Sequence, residues 1–293
     1  MKIKVLLTGC TGQLGQALQR KVPEEVDLIS LSRDDLDLAD NKACRKAVYQ
    51  IKPHWVINAG AYTAVDKAEK EPNLAYAINE GAPNAFALAL ADIGGRLLQI
   101  STDFVFSGRQ GVPYKVNQPV EPLGVYAASK AAGENAALKC PGSFVVRTSW
   151  LYSNTGNNFC LNMLRLHSLK AQKGEVLNVV SDQVGCPTST HTLAEACWRI
   201  IALNKLATNT FVFHWSDAGA ASWYDFAVAI GELGIANGLL ERSALVKPIS
   251  TDEYPTPAQR PSYSLLDCSE TRNIFHLKQQ HWRLSLSQVF QEM

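Results

Sequence analysis

The 293-residue sequence contains no apolar run of the roughly 18 residues that a membrane span requires, so an integral helical membrane protein is not expected. It also lacks any block of like charge. Its formal net charge is +1, which makes nucleic acid and anionic membrane surfaces poor partners. Cysteine is not arranged for cross-linking: Cys10, Cys44, Cys140, Cys160, Cys186, Cys197 and Cys268 are odd in number and include no Cys-x-x-Cys pair. They read as the reduced thiols of a cytoplasmic protein. The six histidines are scattered, none at metal-ligand spacing from a second His or Cys, so no metal is expected. Internal repeats and low-complexity linkers are missing too. Leu7-Thr8-Gly9-Cys10 imitates the end of a lipoprotein signal, but its apolar segment is only Val5 to Leu7, short of the h-region minimum of about 7 residues. That segment reads instead as a first strand.

What is present is a regular alternation of strand-length apolar runs with helical patterns. Ile3 to Leu7 is followed by a glycine turn and a helix carrying Leu14, Ala17, Leu18 and Val22. Then come Val26 to Leu31, a helix near Asn41 to Ile51, Trp55 to Asn58, a long helix from about Asn73 to Ile93, Arg96 to Ser101, a helix bearing Tyr126, and Ser143 to Thr148. This order predicts an α/β fold of Rossmann-like, doubly wound parallel type. Beyond Trp150 the regularity weakens and Pro and Gly become frequent, as in Gly185-Cys186-Pro187-Thr188. Residues 1–150 are therefore expected to form a dinucleotide-binding domain. Residues 151–293 would mainly form a smaller α/β substrate-binding domain, with some elements able to return to the large sheet.

Two features carry chemistry. Gly9-Cys10-Thr11-Gly12-Gln13-Leu14-Gly15 joins strand to helix, where backbone N–H groups and the helix dipole favour a pyrophosphate. The Gly-x-x-Gly-x-x-Gly spacing departs from the commoner fingerprint, and a plain structural turn is the alternative. Tyr126 and Lys130 stand at i and i+4, so one helix face can present a phenol and an ammonium to the same pocket. The cation is expected to pull the phenol below its ordinary pKa of about 10, making a proton donor usable near neutrality. Read alone, the pair could equally be a packed Tyr beside a solvated Lys. Ligands of such sheets bind at the carboxyl ends of strands, which groups Gly9, Ala59 to Ala61, Ser101 to Asp103 and Thr148 to Trp150 around one crevice. The second strand ends Ser30-Leu31-Ser32-Arg33 without the acidic residue that holds a free ribose 2′-hydroxyl. Ser32 and Arg33 could instead hold a 2′-phosphate. That favours NADPH, with NADH as the alternative because Asp34 and Asp35 are adjacent, and with a solvated loop as the plain reading of Arg33.

Together with Ser101-Thr102-Asp103-Phe104-Val105-Phe106-Ser107-Gly108, the glycine turn and the Tyr126/Lys130 pair resemble the extended short-chain dehydrogenase/reductase superfamily. The runs Asn58 to Glu69, Arg147 to Tyr152 and Pro255 to Pro261 look like the dTDP-4-dehydrorhamnose reductase family within it, and the resemblance extends from Lys2 to about Asp267. It implies reduction of the C4 ketone of dTDP-4-dehydro-L-rhamnose to dTDP-L-rhamnose by reduced nicotinamide, with Thr102, Tyr126 and Lys130 as catalytic residues. It places Gly9, Thr11, Gly12, Gln13, Leu14 and Gly15 at the pyrophosphate, Asp37 and Leu38 near the adenine, and Ala59, Gly60 and Ala61 beneath the dinucleotide. Tyr126 and Lys130 would also touch the cofactor. For the dTDP-sugar it implies Val65, Trp150 and Arg260, with Asp103, Asn158 and Asp182 as further candidates. An indole suits an apolar sugar face and a guanidinium fork a diphosphate, although Trp150 also reads as core.

The resemblance also covers magnesium-bridged dimers whose glutamates correspond here to Ala17 and His191, so the chain is expected to be a monomer or a homodimer held without metal. Two other functions share the resemblance. One is an epimerase or dehydratase of the same superfamily. The other is a non-catalytic NADP-binding regulatory subunit, similar to the methionine adenosyltransferase beta subunit.

Overall fold

The computed structural model describes residues 2–202 and 211–293. Strand β1, Ile3–Thr8, alternates its buried side chains between two faces, as a two-residue repeat requires. Val5 and Leu7 enter one apolar layer with Leu14 and Leu18, while Leu6 enters the opposite layer with Val48, Phe86 and Leu90. A strand buried on both faces belongs inside a helix-covered parallel sheet. Around it lie β2 (Val26–Leu31), β3 (Trp55–Asn58), β4 (Arg96–Thr102), β5 (Phe144–Thr148) and β6 (Val212–His214). All pair parallel, in the order β6-β5-β4-β3-β1-β2. Strand order reverses at β1, so a crevice opens beyond the carboxyl ends of β1 and β3. The first five strands match the expected segments to within a residue. The sixth comes from beyond Trp150, and Thr190–Ala202 packs on the same face as helix α1, Gln13–Arg20, through a Trp198 indole bond to the Leu18 carbonyl at 3.1 Å.

Helices α2 (Asn41–Ile51), α3 (Ala82–Ile93) and α4 (Val125–Ala137) cover the other face. The long helix expected from Asn73 is interrupted. Pro72–Tyr76 is α-helical, Ala77–Gly81 is a π turn, and only then does α3 begin. The extra residue in the wide turn carries Asn79 into the interior, where its side chain accepts from Tyr62 N–H at 2.9 Å and donates to the Tyr62 carbonyl and the Ser129 hydroxyl. Helix α4 meets this turn so closely that a Cβ at Gly133 would lie 1.9 Å from the Asn79 carbonyl oxygen. Contact at Gly133 sets the height of α4.

In the second half, short ladders join Leu151–Tyr152 to Thr188–Ser189, Leu177–Val180 to Val246–Ile249, and Val184–Gly185 to Ala221–Ser222. Helices Phe159–Lys173, Trp223–Ala236 and Trp282–Gln291 enclose a separate apolar cluster of Tyr152, Phe226, Ile230, Trp282 and Leu286. No helix among the described residues is long and apolar enough to cross a membrane. All seven cysteines are buried thiols.

Candidate active site

A crevice of about 510 Å³ runs across the carboxyl ends of β1, β3, β4 and β5, within the size range of small-molecule sites. Gly9, Thr11, Gly12, Gln13 and Leu14 form one end, Ser32, Arg33, Asp37 and Leu38 border it, and Ala59, Gly60 and Ala61 make its floor. At the other end stand Thr102, Asp103, Tyr126, Lys130 and Trp150. The topology thus brings together expected residues from six separate segments.

The glycine end fits a dinucleotide on its own geometry. Gly9 has a φ of +65°, and a Cβ there would lie 2.7 Å from the Gly60 backbone, so strands β1 and β3 deliver two glycine backbones into contact. Gly12 caps α1 in extended conformation without a side-chain acceptor, leaving the helix N-terminal N–H groups for a ligand. Gly15 does not line the crevice; a Cβ there would sit 2.2 Å from the Gly9 carbonyl oxygen, so its role is to let α1 close on the turn. Gln13 is tied to the second half: its Oε1 accepts from Asn158 Nδ2 at 2.9 Å and Ser153 Oγ at 3.0 Å. At the end of β2 the Ser32 hydroxyl donates to Asp35 at 2.6 Å. This leaves Arg33, exposed and without a side-chain partner among the described residues, as the cation at that border.

The reactive end is drier. Thr102 terminates β4 and caps the following turn; its hydroxyl accepts from Phe104 N–H, bonds to Asp103 Oδ1 at 3.1 Å and reaches the Tyr126 phenol. Burial pushes Asp103 up to about 7 against the opposing pull of the Ser264 and Thr102 hydroxyls. Asp103 Oδ2 and Thr148 Oγ1 are buried with no hydrogen-bond partner among the described residues, and both residues line the crevice, which makes them candidates for ligand contact.

One expectation is overturned. Tyr126 and Lys130 do share a face of α4, but the phenol is not lowered: burial pushes it up to about 12, the Thr102 hydrogen bond opposes this, and Asp103 adds to it. The lysine has turned to the sheet, where its Nζ donates to the Ile100 carbonyl at 2.6 Å. Burial brings Lys130 down to about 8, with Glu134 pulling it back up. Tyr126 is therefore a protonated donor at neutral pH, and Lys130 is a buried ammonium held mainly by its own helix and β4.

The sugar-side residues separate into two groups. Trp150 lines the crevice in a left-handed backbone conformation, φ 46°, and stacks on Trp223 at 3.5 Å between ring centroids. Gly185 makes room for it; a Cβ there would fall 2.6 Å from the indole. Val65, Asn158, Asp182 and Arg260 do not line the crevice. Asn158 caps Phe159–Lys173, accepting from Leu161 N–H, and spends its amide on Gln13, Ser153 and Thr155. Asp182 accepts from Thr251 N–H and hydroxyl. Arg260 is paired with Asp66, with Nη1 3.1 Å from Oδ1 and Nη2 2.8 Å from Oδ2, and the guanidinium holds that carboxyl below its usual range. Val65 starts the helical turn that positions Asp66. Ala17 is buried in the sheet layer and His191 Nδ1 stands 3.3 Å from Glu292.

Sequence reading missed Thr63, Ile78 and Asn157 in the lining, Trp223 behind Trp150, and the buried Glu134–Arg147 pair beneath Lys130. For Glu134 a signal existed: Tyr126, Lys130 and Glu134 recur every four residues on a helix otherwise rich in alanine.

Comparison with known proteins bears on the whole chain. Residues 2–293 match the family model of the RmlD substrate binding domain. The chain is 37% identical over 288 residues to a dTDP-4-dehydrorhamnose reductase of Sinorhizobium fredii, covering 97% of this chain and 95% of that one. It is 35% identical to the enzyme of the same name from Salmonella typhimurium over 99% of this chain and 98% of that one. Among solved structures, a dTDP-4-dehydrorhamnose reductase of Bacillus anthracis in complex with NADP superposes with a TM-score of 0.90 at 35% identity, each chain fully covered.

Proposed function

This chain belongs to the family of the RmlD substrate binding domain, and from that membership and the crevice geometry we propose that it reduces the C4 ketone of dTDP-4-dehydro-L-rhamnose to dTDP-L-rhamnose, the last step of dTDP-rhamnose synthesis. The observation that carries the reading is the convergence of Thr102, Tyr126 and Lys130 at one end of a crevice whose other end is a glycine cradle. NADPH bound there supplies the hydride. The N–H groups of Gln13 and Leu14 would hold its diphosphate, Arg33 its 2′-phosphate, and the border at Asp37 and Leu38 its adenine.

As charge grows on the ketone oxygen, a donor aimed at that oxygen stabilises the transition state more than the ground state. Tyr126 supplies that donor and then the proton; its raised pKa keeps the proton in place until the oxygen becomes basic enough to take it. Thr102 rotates its hydroxyl from Asp103 to give a second hydrogen bond. Lys130 has ammonium protons to spare beyond the one given to Ile100, and its charge stabilises the phenolate left behind. On the sugar side, Trp150 and Asp103 line the crevice and face the substrate, with Val65, Arg260, Asn158 and Asp182 as further contacts to the dTDP-sugar. Residues up to Trp150 thus serve mainly the dinucleotide and later residues mainly the dTDP-sugar. The chain works in the cytoplasm as a monomer or as a homodimer that needs no metal bridge. Ala17 inside the core and His191 paired with Glu292 support the second point.

The test is oxidation of NADPH, followed at 340 nm, with enzymatically generated dTDP-4-dehydrorhamnose. Stoichiometric conversion to dTDP-L-rhamnose is expected. Retention of tightly bound NAD with no net NADPH consumption would instead indicate an epimerase or dehydratase.

A further inference from the structure

Beneath the crevice floor lies a buried ion pair that the proposed chemistry does not use. Glu134 and Arg147 each have a side-chain exposure of 5%. Glu134 Oε1 accepts from Arg147 Nε at 2.9 Å and from the Ser101 hydroxyl at 2.6 Å, and Oε2 accepts from Arg147 Nη2 at 2.7 Å. Arg147 Nη1 reaches the Val116 carbonyl and His214 Nε2, both at 3.3 Å, and the guanidinium carbon lies 5.1 Å over the Phe106 ring. Two of the elements the pair joins carry the reactive end: α4 bears Tyr126 and Lys130, and β4 bears Ser101 and Thr102.

Desolvating a fork and a carboxylate this completely is expensive, and a well-packed apolar pair of similar volume would often serve stability as well. The pair's position gives it another use. Glu134 is one helical turn beyond Lys130 on the same face, and Lys130 is itself buried at 5% exposure. The charged and titratable groups on its own helix and on the neighbouring strands are Tyr126 and Glu134 on α4, Asp103 after β4, Arg147 on β5 and His214 on β6. Of these, Glu134 alone exerts a resolved pull on the lysine, and the pull is toward the charged form.

We propose that Glu134, anchored by Arg147, is a positioning residue for Lys130: its carboxylate keeps the lysine ammonium charged and locks the face of α4 that carries Tyr126 onto β4 and β5. Resting on the reductase reading, this adds a layer beneath its catalytic residues. Removing the carboxylate takes an anion away from a buried cation, so Lys130 should surrender its proton at lower pH.

The experiment compares wild type with Glu134→Gln and with Glu134→Gln/Arg147→Met. The double variant leaves no unpaired buried charge and guards against misfolding of the single one. Lysines labelled with ¹³C at Cε are titrated by NMR, the Lys130 resonance being assigned with Lys130→Met, and the alkaline limb of kcat is measured alongside. We expect Lys130 to titrate near 8 in the wild type and at least about one pH unit lower in folded Glu134→Gln, a tenfold change in its proton affinity, with the alkaline limb moving the same way; the double variant, which loses a cation with the anion, should move in the same direction by less. Glu134→Asp should restore part of the shift. A Lys130 titration unmoved in every variant that folds, or a uniform loss of kcat with no movement of the limb, overturns the proposal. So would failure of both variants to fold, which would make the pair a folding element only. Because the NMR titration needs no substrate, wild-type inactivity toward the keto sugar would count against the reductase reading without deciding this one.

Discussion

Tyr126 shows how burial can invert an expectation drawn from spacing. Spacing of four residues does put lysine and phenol on one face of the helix, yet burial penalises the phenolate and Asp103 adds to the penalty, with only the Thr102 hydrogen bond opposing them. The phenol consequently enters the reaction as an acid already carrying its proton. Tyr126→Phe keeps the ring against Phe104 but removes that proton, and kcat should fall by roughly 10²- to 10⁴-fold, while NADPH affinity measured by fluorescence titration hardly changes. Near-normal turnover would remove Tyr126 from the chemistry. Arg33 permits a second test at this scale. Without a partner among the described residues, it is free to pair with a phosphate, so Arg33→Ala should weaken NADPH by about 1.5–3 kcal/mol and leave NADH almost unaffected. Equal losses for both cofactors would reduce it to a loop charge.

Among elements, helix α4 matters most, since it carries both the phenol and the ammonium and its height is set from behind. The π turn at Ala77–Gly81 pushes the Asn79 carbonyl toward α4, and only the missing side chain at Gly133 lets the two meet. Gly133→Ala must therefore lift α4, move Asn79, or both. Overpacking of this kind costs about 1–3 kcal/mol, which should appear as a lower urea midpoint at unchanged m-value. Because the displaced helix is the one holding Tyr126 and Lys130, kcat should fall as well. A variant that loses stability but keeps full turnover would show that α4 can move without consequence for the site.

Across the whole molecule, β6 supplies the link between halves. His214 closes the sheet edge, fully buried, with Nδ1 at 3.0 Å from the Tyr114 carbonyl and Nε2 facing Arg147. A ring that donates to a carbonyl and accepts from a guanidinium must be neutral, and burial together with the Arg147 charge brings its pKa down to about 3. The unfolded chain binds that proton near pH 6.5, so the contribution is complete above about 6.5 and is lost progressively as pH falls toward 3. Asp103 and Asp217, raised to about 7 and about 6, act in the opposite sense over part of that range. They cancel when wild type is compared with His214→Gln. The stability difference between the two should shift against wild type by about 1.4 kcal/mol per pH unit between roughly pH 6 and 4, read from urea unfolding. A flat difference would mean that the folded protein accommodates the protonated ring.

The amino-acid sequence by itself determined the succession of elements. Apolar periodicity placed the first five strands within a residue of their ends, the glycine turn lay between β1 and α1, and Tyr126 and Lys130 fell on one helical face, because each of these depends on neighbours a few residues apart. The family was legible for the same reason, in short runs such as Asn58 to Glu69 and Pro255 to Pro261. Partnerships across the fold were left to the tertiary structure. The sequence offers Arg260 as a lone guanidinium, and only the fold shows Asp66, 194 residues away, paired with it. The Gln13 partner of the Asn158 amide likewise appears only in the fold, and Trp150 gains its stacking partner only when Trp223 folds over it. Whether a charged side chain meets a substrate or another residue depends on register, burial and the dielectric around it, and those exist only once the layers have closed.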